Sequence, residues 1–279
     1  MTRIGTVGEL RRYPVKSMLG ETLPRAEVRT RGLSGDRVCA LIDAETGRVA
    51  SAKMPRRWRR LLECAATYHD DSGAIAIVTP DGRRFDAADA GASDRLSALV
   101  DRPVKFAFAR DGALQLERAN PEELAAGGDE NGPGKTVIQI GMGAPEGGFF
   151  DAFPIHFITM ASLKRVAEVA IAKAPEPARF RPNIVIDSVR LDAFAENGWD
   201  GALISVGRHL RLRVAFPTPR CAVPTLAHGA IAPDPQLTVE IGKLNRAPVL
   251  DMGPAPCLGA YAQIERPGRV ALGDEIHLE

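Results

Sequence analysis

Four short segments hold most of the polar chemistry of this chain. Tyr13-Pro14-Val15-Lys16-Ser17 ends an alternating stretch with a cation and a hydroxyl. Gly32-Leu33-Ser34-Gly35-Asp36-Arg37 is a turn leading to an arginine. Arg179-Phe180-Arg181-Pro182-Asn183 sets two guanidiniums and an amide ahead of the apolar run Ile184-Val185-Ile186. Pro217-Thr218-Pro219-Arg220-Cys221 leaves a hairpin through a proline-framed loop and presents a thiol. Lys16, Arg37 and Arg181 suit charge-assisted bonds to anionic oxygens, and arginine offers a planar two-donor fork. Asn183 can donate and accept at once. Ser17, Thr159 and Ser162 offer hydroxyls, and the helix start after Thr159 offers free N–H groups to an anion. A thiolate at Cys221 would suit a soft metal, and the neighbouring Arg220 would help lower its pKa. Each feature also has a plainer reading. Cys221 could fill an apolar gap, the cations could form surface salt bridges, and Thr159 and Ser162 could only cap a helix.

Other motifs fail on inspection. Gly132-Pro133-Gly134-Lys135-Thr136 resembles the end of a phosphate loop, but Asp129 stands where the motif needs glycine and a strand pattern follows instead of a helix. Gly141-Met142-Gly143 opens no helix either, so a dinucleotide fingerprint is disfavoured. The histidines lack metal-ligand spacing, and no Gly-x-Ser-x-Gly elbow occurs. Cys39, Cys64 and Cys257 read as free buried thiols, since no C-x-x-C pair is present. Lys53 to Arg60 is a basic cluster around Trp58. It reads as a nucleic-acid contact, a solvated face or the wall of an anionic-ligand site. A formal net charge of +1 argues against a chain devoted to nucleic acid or membrane surfaces. Nothing approaches the roughly 20 apolar residues that span a bilayer, and no secretory block opens the chain, so a cytoplasmic protein is expected.

These residues need a scaffold, and the pattern points to strands. Frequent Gly and Pro suit many short strands joined by turns, giving a mainly β fold with a few short helices. Strands are expected over Ile4 to Val15, Val38 to Ile42, Ala74 to Val78 and Ile155 to Thr159. Ser93 is expected to cap a short helix, and Asn120 another that stops at Gly127-Gly128. A third helix should bury Leu163, Val166, Ala167, Ala170 and Ile171. Leu203 to Phe216 alternates as a hairpin about Gly207-Arg208, and Ala260 to Leu278 reads as a second hairpin set. The expected domains are residues 1–115 and 116–279, with residues 110–150 as connector.

Taken in order, Y-P-V-K-S, G-D-R, F-R-P-N-I-V and the Arg220-Cys221 pair resemble the MOSC family. The match is to its two-part members, which carry an N-terminal β-barrel-like region before the MOSC β-barrel domain. The resemblance spans nearly the whole chain and includes the closing Pro267-Gly268 and Val270-x-x-Gly273-Asp274. It implies a molybdenum–pterin cofactor, with Cys221 as metal ligand and catalytic thiol. Lys16, Ser17, Arg37, Asp151, Thr159, Ser162, Arg181, Asn183, Thr218 and Arg220 would contact the cofactor. It further implies reduction of N-hydroxylated or N-oxygenated small molecules, with electrons from a separate ferredoxin, flavin or cytochrome type of donor. One departure is clear: Leu226-Ala227-His228 follows Pro224-Thr225 where the family often has Val-Asp-Pro. A sulfur or cofactor carrier, and a cofactor-free scaffold such as a lyase or binding protein, are the competing expectations.

Overall fold

The computed structural model describes residues 1–108, 112–188 and 190–279. Its largest sheet closes on itself. The ring is built from β1 (Thr2–Arg12), β2 (Ile155–Thr159), β3 (Ile184–Asp187), β4 (Leu203–Val206), β5 (Leu210–Pro219), β6 (Pro254–Arg266) and β7 (Glu275–Leu278). The order is β2-β3-β1-β7-β4-β5-β6, and β6 pairs back to β2. Closure leaves this sheet no open edge at that seam. Only β2 and β3 run parallel within the ring, and the helix Met160–Ala167 lies in the crossover between them.

Side-chain alternation divides the barrel wall into two faces. Phe157, Ile184 and Ile186 join Val7, Leu10, Leu212 and Ile276 in the barrel core. Their neighbours Ile158 and Val185 face the other way, onto Leu163, Val166, Leu237 and Ile241 of the two flanking helices. β1 must bend to serve this ring. Its register slips between Arg3 and Gly5, and a β-carbon on Gly5 would lie 2.3 Å from the Asp187 carbonyl oxygen. Glycine there allows the close approach.

A second core lies in the N-terminal half. Ala40–Asp43 pairs with Val104–Ala107, and Ala65–Tyr68, Ile75–Val78 and Arg84–Asp86 form an antiparallel meander. Met18, Trp58, Leu61, Ile77 and Leu96 fill the space between them. The halves interlock. β1 belongs to the barrel, and Gly268–Ala271 from the chain's end pairs with Arg25–Arg29 near its start. The segment that leaves β1, residues 13–19, therefore passes from one core to the other, carrying Lys16 and Ser17. The expected connector is also structured. Gln115–Arg118 pairs with Thr136–Gln139, and Leu116 and Ile140 pack on Ala40, Val49 and Phe149.

Several local expectations need correction. The first strand ends at Arg12, before Val15. Ser93 lies inside its helix, which starts after Gly91, and its hydroxyl instead accepts from the Phe106 N–H at 3.3 Å. Ile171 is exposed beyond the end of Met160–Ala167. The last strands form no hairpins with one another: β6, Gly268–Ala271 and β7 each pair with distant strands. Asn120 does cap its helix, accepting from the N–H groups of Glu122 and Glu123. No helix of the described residues is long and apolar enough to cross a membrane.

Candidate functional site

One cavity lies where the two cores meet. Lys16 and Ser17 reach it from the segment after β1, Arg37 from the following turn, and Asp151 from the approach to β2. Arg181 and Asn183 come from the lead into β3, and Thr218, Arg220 and Cys221 from the end of β5. Local backbone conformation aims three of these residues. Ser17, Arg37 and Arg181 have φ of 65°, 49° and 58°, the left-handed region that side chains other than glycine rarely adopt. Such conformations persist where surrounding bonds over-determine them, and they cluster at functional sites. The bonds are present here. The Arg37 N–H donates to the Tyr13 carbonyl at 2.8 Å, the Arg181 N–H to the Pro177 carbonyl at 3.2 Å, and the Ser17 hydroxyl accepts from the Ala52 N–H at 3.1 Å. The Tyr13 ring supports both guanidiniums, with Arg37 and Arg181 carbons 4.9 and 4.3 Å from its centroid.

Positive charge outweighs negative on the cavity wall. Lys16, Arg37, Lys53, Arg118, Arg179, Arg181 and Arg220 line it, against the single carboxylate of Asp151. That carboxylate is shared: Lys16 Nζ donates to Oδ1 at 2.6 Å and Lys53 Nζ lies 3.0 Å from the same oxygen. Burial alone would raise the Asp151 pKa, but the two lysines outweigh it and hold the carboxyl well below the usual range. For Lys16, burial wins over Asp151 and lowers the ammonium to about 8. Arg37 is balanced by Asp36, whose attraction overcomes burial and raises the guanidinium's pKa. Arg181 has no carboxylate partner among the described residues. Burial first, then repulsion from Arg37, lowers it to about 10. Its Nη1 donates to the Met18 carbonyl, and its own carbonyl accepts from Arg37 Nη2 at 3.0 Å.

The thiol side is built from β5 and its neighbours. Cys221 is half-buried and free, and its carbonyl accepts from the Thr238 hydroxyl at 3.1 Å. The Arg220 guanidinium is pinned by protein groups. Its Nη1 donates to the Leu258 carbonyl at 3.1 Å and lies 3.3 Å from His156 Nε2, and its Nη2 donates to the Phe180 carbonyl at 3.0 Å. A guanidinium can only donate, so His156 Nε2 accepts and its Nδ1 carries the proton, facing the Arg181 carbonyl at 3.4 Å. Burial, then the nearby Arg220 charge, keeps that imidazole neutral with its pKa well below the ordinary value. Arg179 fixes the chain beyond the thiol, donating to the carbonyls of Pro224 and Ala232 at 2.9 and 2.8 Å. Two buried polar atoms at the cavity have no protein partner: the Thr218 hydroxyl and Arg220 Nε.

Comparison with known proteins gives the family. The sequence matches the MOSC domain over residues 144–277 and the MOSC N-terminal beta barrel domain over residues 4–110. The chain belongs to the MOSC family. The human protein named mitochondrial amidoxime-reducing component 1 is 26% identical over 100% of this MOSC chain and 84% of its own length. The Bos taurus protein named mitochondrial amidoxime reducing component 2 is 25% identical over 99% and 84%. Among solved structures, the YUAD protein from Bacillus subtilis aligns with a TM-score of 0.42 at 11% identity, over 100% of this chain and 96% of that one.

Nine residues expected to contact a cofactor or metal in this MOSC protein do line one cavity, from Lys16 to Cys221. Asn183 is more a brace than a free donor. Its amide nitrogen donates to Asp36 Oδ2 at 3.0 Å, and its oxygen accepts from the His156 N–H at 3.1 Å. Thr159 and Ser162 lie elsewhere. Both are fully buried, Thr159 caps the helix Met160–Ala167, and both hydroxyls donate to Glu196 Oε2, at 3.0 and 2.8 Å. The Ser162 N–H at the helix start is taken by the Thr159 hydroxyl at 3.2 Å, and neither residue lines the cavity. His228 does not line the cavity. Sequence reasoning passed over His156, hidden in an apolar strand, and named Lys53 only as one member of a basic cluster. The donors and the half-buried thiol suit a group that is anionic, rich in oxygen and nitrogen, and able to take a sulfur ligand at a soft metal.

Proposed function

We propose that this MOSC protein holds a molybdenum–pterin cofactor through Cys221 and reduces N-hydroxylated or N-oxygenated small molecules, with electrons from a separate protein. The supporting observation is a half-buried thiol set in a cavity whose cations outnumber its carboxylates. The names of the mammalian relatives point to the same reaction class. When bound, the cofactor would supply a redox metal able to take oxygen from substrate in exchange for two electrons.

This chain's own residues supply binding and orientation. Lys16, Arg37 and Arg181 present charge to phosphate and pterin oxygens, each bond worth roughly 1.5–3 kcal/mol. The Thr218 hydroxyl and Arg220 Nε, unpaired within the protein, are the free donors nearest the thiol in sequence. Neutral His156 fixes the Arg220 guanidinium and does not add charge. Of the basic cluster, Lys53 turns into the cavity while Arg56 and Arg57 pair with Asp129 and Glu117. Arg60 also pairs with Glu63, which leaves exposed Arg59 to meet an acidic electron donor.

Protein purified from a cofactor-producing host should carry stoichiometric molybdenum and pterin, and should reduce benzamidoxime with an artificial donor. Cys221→Ala should lose the metal or all turnover, while its cofactor-free form unfolds at the temperature of cofactor-free wild type. Bound cofactor without turnover would favour a carrier. Protein that takes up neither metal nor pterin would leave only the cofactor-free scaffold.

A further inference from the structure

The cavity has a second chemistry at its mouth. Eight large apolar side chains are exposed among the described residues, and three of them, Met142, Leu250 and Met252, line this one opening. They are 69%, 57% and 59% exposed, and they come from two loops distant in sequence. Gathering on one rim is informative, since scattered exposed apolar residues need no explanation but a cluster at a pocket does. The loops are held in place. Gly141 and Gly143, on either side of Met142, donate to the carbonyls of Asp151 and Ala152, both at 3.1 Å. Leu250 sits at a turn with φ of 45°, a conformation leucine rarely adopts.

The rim continues inward as an aromatic wall. Phe153 meets Phe216 edge-on with centroids 5.4 Å apart, and Phe216 meets Tyr261 at 5.6 Å. That wall and the thiol line the same cavity. Phe216 pairs with Tyr261 across β5 and β6, and further along Pro219, two residues before Cys221, pairs with Cys257. Leu250 and Met252 lie in the turn between Arg246–Pro248 and Pro254, just ahead of that cysteine. The cavity is therefore amphipathic: its seven cations come from both halves of the chain, and an apolar lip and an aromatic wall line it as well.

We infer that the lip of Met142, Leu250 and Met252 selects substrates in which the N-oxygenated nitrogen is attached to an aromatic or branched apolar body. This rests on the reductase reading for the polar end of the substrate. The apolar end follows from the lip alone. Flexible thioether side chains on such a rim adapt to bodies of varied shape, so the selection is for apolarity more than for one outline.

The test measures equilibrium binding apart from turnover. Calorimetry on protein isolated from a cofactor-producing host would compare benzamidoxime with acetamidoxime, which keeps the polar group and lacks the ring. Wild type should bind the aromatic compound about tenfold tighter, consistent with burial of one ring face. The combined Met142→Ser, Leu250→Ser and Met252→Ser variant should reduce that preference to about twofold or less, with the acetamidoxime affinity and the unfolding temperature unchanged. Equal affinities in wild type, or a preference that survives the triple change, would overturn the inference. The two proposals fail separately. Turnover with no aromatic preference sinks the lip and keeps the reductase, whereas aromatic binding through the lip with no turnover of either compound does the reverse.

Discussion

Two buried polar clusters in this protein handle charge in opposite ways. Behind the barrel, Glu196 is 1% exposed and no cation pairs with it among the described residues. Burial raises its pKa, and the Thr159 and Ser162 hydroxyls close around Oε2. In the cavity, seven cations face one lining carboxylate, with Asp36 and Glu176 behind it pairing Arg37 and Arg179. The first cluster disfavours charge and gives both hydroxyls to one carboxyl oxygen, leaving Oε1 without a protein partner. The second keeps charge, strains backbone to aim it and leaves donors unused. A buried group whose surroundings disfavour its charge is architecture, and a surplus of charge that persists against the cost of burial awaits a ligand.

The sharpest way to break that distinction lies within the cavity, between its paired and unpaired arginines. Arg37→Ala strips the counter-charge from Asp36, whose side chain is wholly buried, leaving it only the Tyr13 N–H and the Asn183 amide. Breaking a buried pair in this way should cost about 3–5 kcal/mol in urea unfolding. Arg181→Ala abandons no carboxylate and removes a like charge near Arg37, so its cost should be about 1 kcal/mol or less. Both should weaken binding of sulfate or cofactor by about tenfold or more, since each removes a charge-assisted donor. Equal destabilisation by the two changes would mean that Arg181 is structural and the surplus of charge only apparent.

A smaller effect tests whether the surplus acts on ligands. With its pKa at about 8, Lys16 is charged at pH 7 and mostly neutral at pH 9, whereas Arg37 stays charged throughout. Anion affinity should therefore fall as pH rises, by about tenfold between pH 7 and 9 if the Lys16 charge is required. Sulfate is the suitable probe because its own charge is constant over that range. Lys16→Met should bind more weakly at pH 7 and show no step. A step that survives in Lys16→Met would assign it to another group.

Parts of this comparison were legible in the sequence and parts were not. Alternation along Leu210 to Phe216 gave the β4–β5 hairpin, and Asn120-Pro121 gave a helix start, because both depend on neighbours in the chain. The pairing of β1 with β3 and β7 was hidden, since partners more than 170 residues away leave no local mark. The cavity cations stood out as motifs. Their difference from Thr159 and Ser162 did not, because a hydroxyl that caps a helix and one that binds an anion have the same spacing. What separates them is Glu196, distant in sequence and aimed by a turn through Phe194 with φ of 64°. His156 was missed for a related reason: an imidazole between apolar residues reads as core until Arg220 is placed against it.

Glu196 also offers the most delicate test of the first cluster. Its folded pKa lies above the unfolded value, so the native state holds the proton more tightly. The stabilising contribution of that proton is complete below the unfolded pKa near 4.5 and is lost as pH climbs through the higher folded value. Above that value the native state must bury an unpaired carboxylate. Glu196→Gln keeps the shape and the acceptor for Thr159 and Ser162 while abolishing the charge. The variant should therefore melt above wild type at pH 8 and close to it at pH 4.5, with sulfate affinity unchanged at both. A variant less stable at pH 8 would show that the carboxylate is wanted in its charged form, which would make this cluster a second charged site.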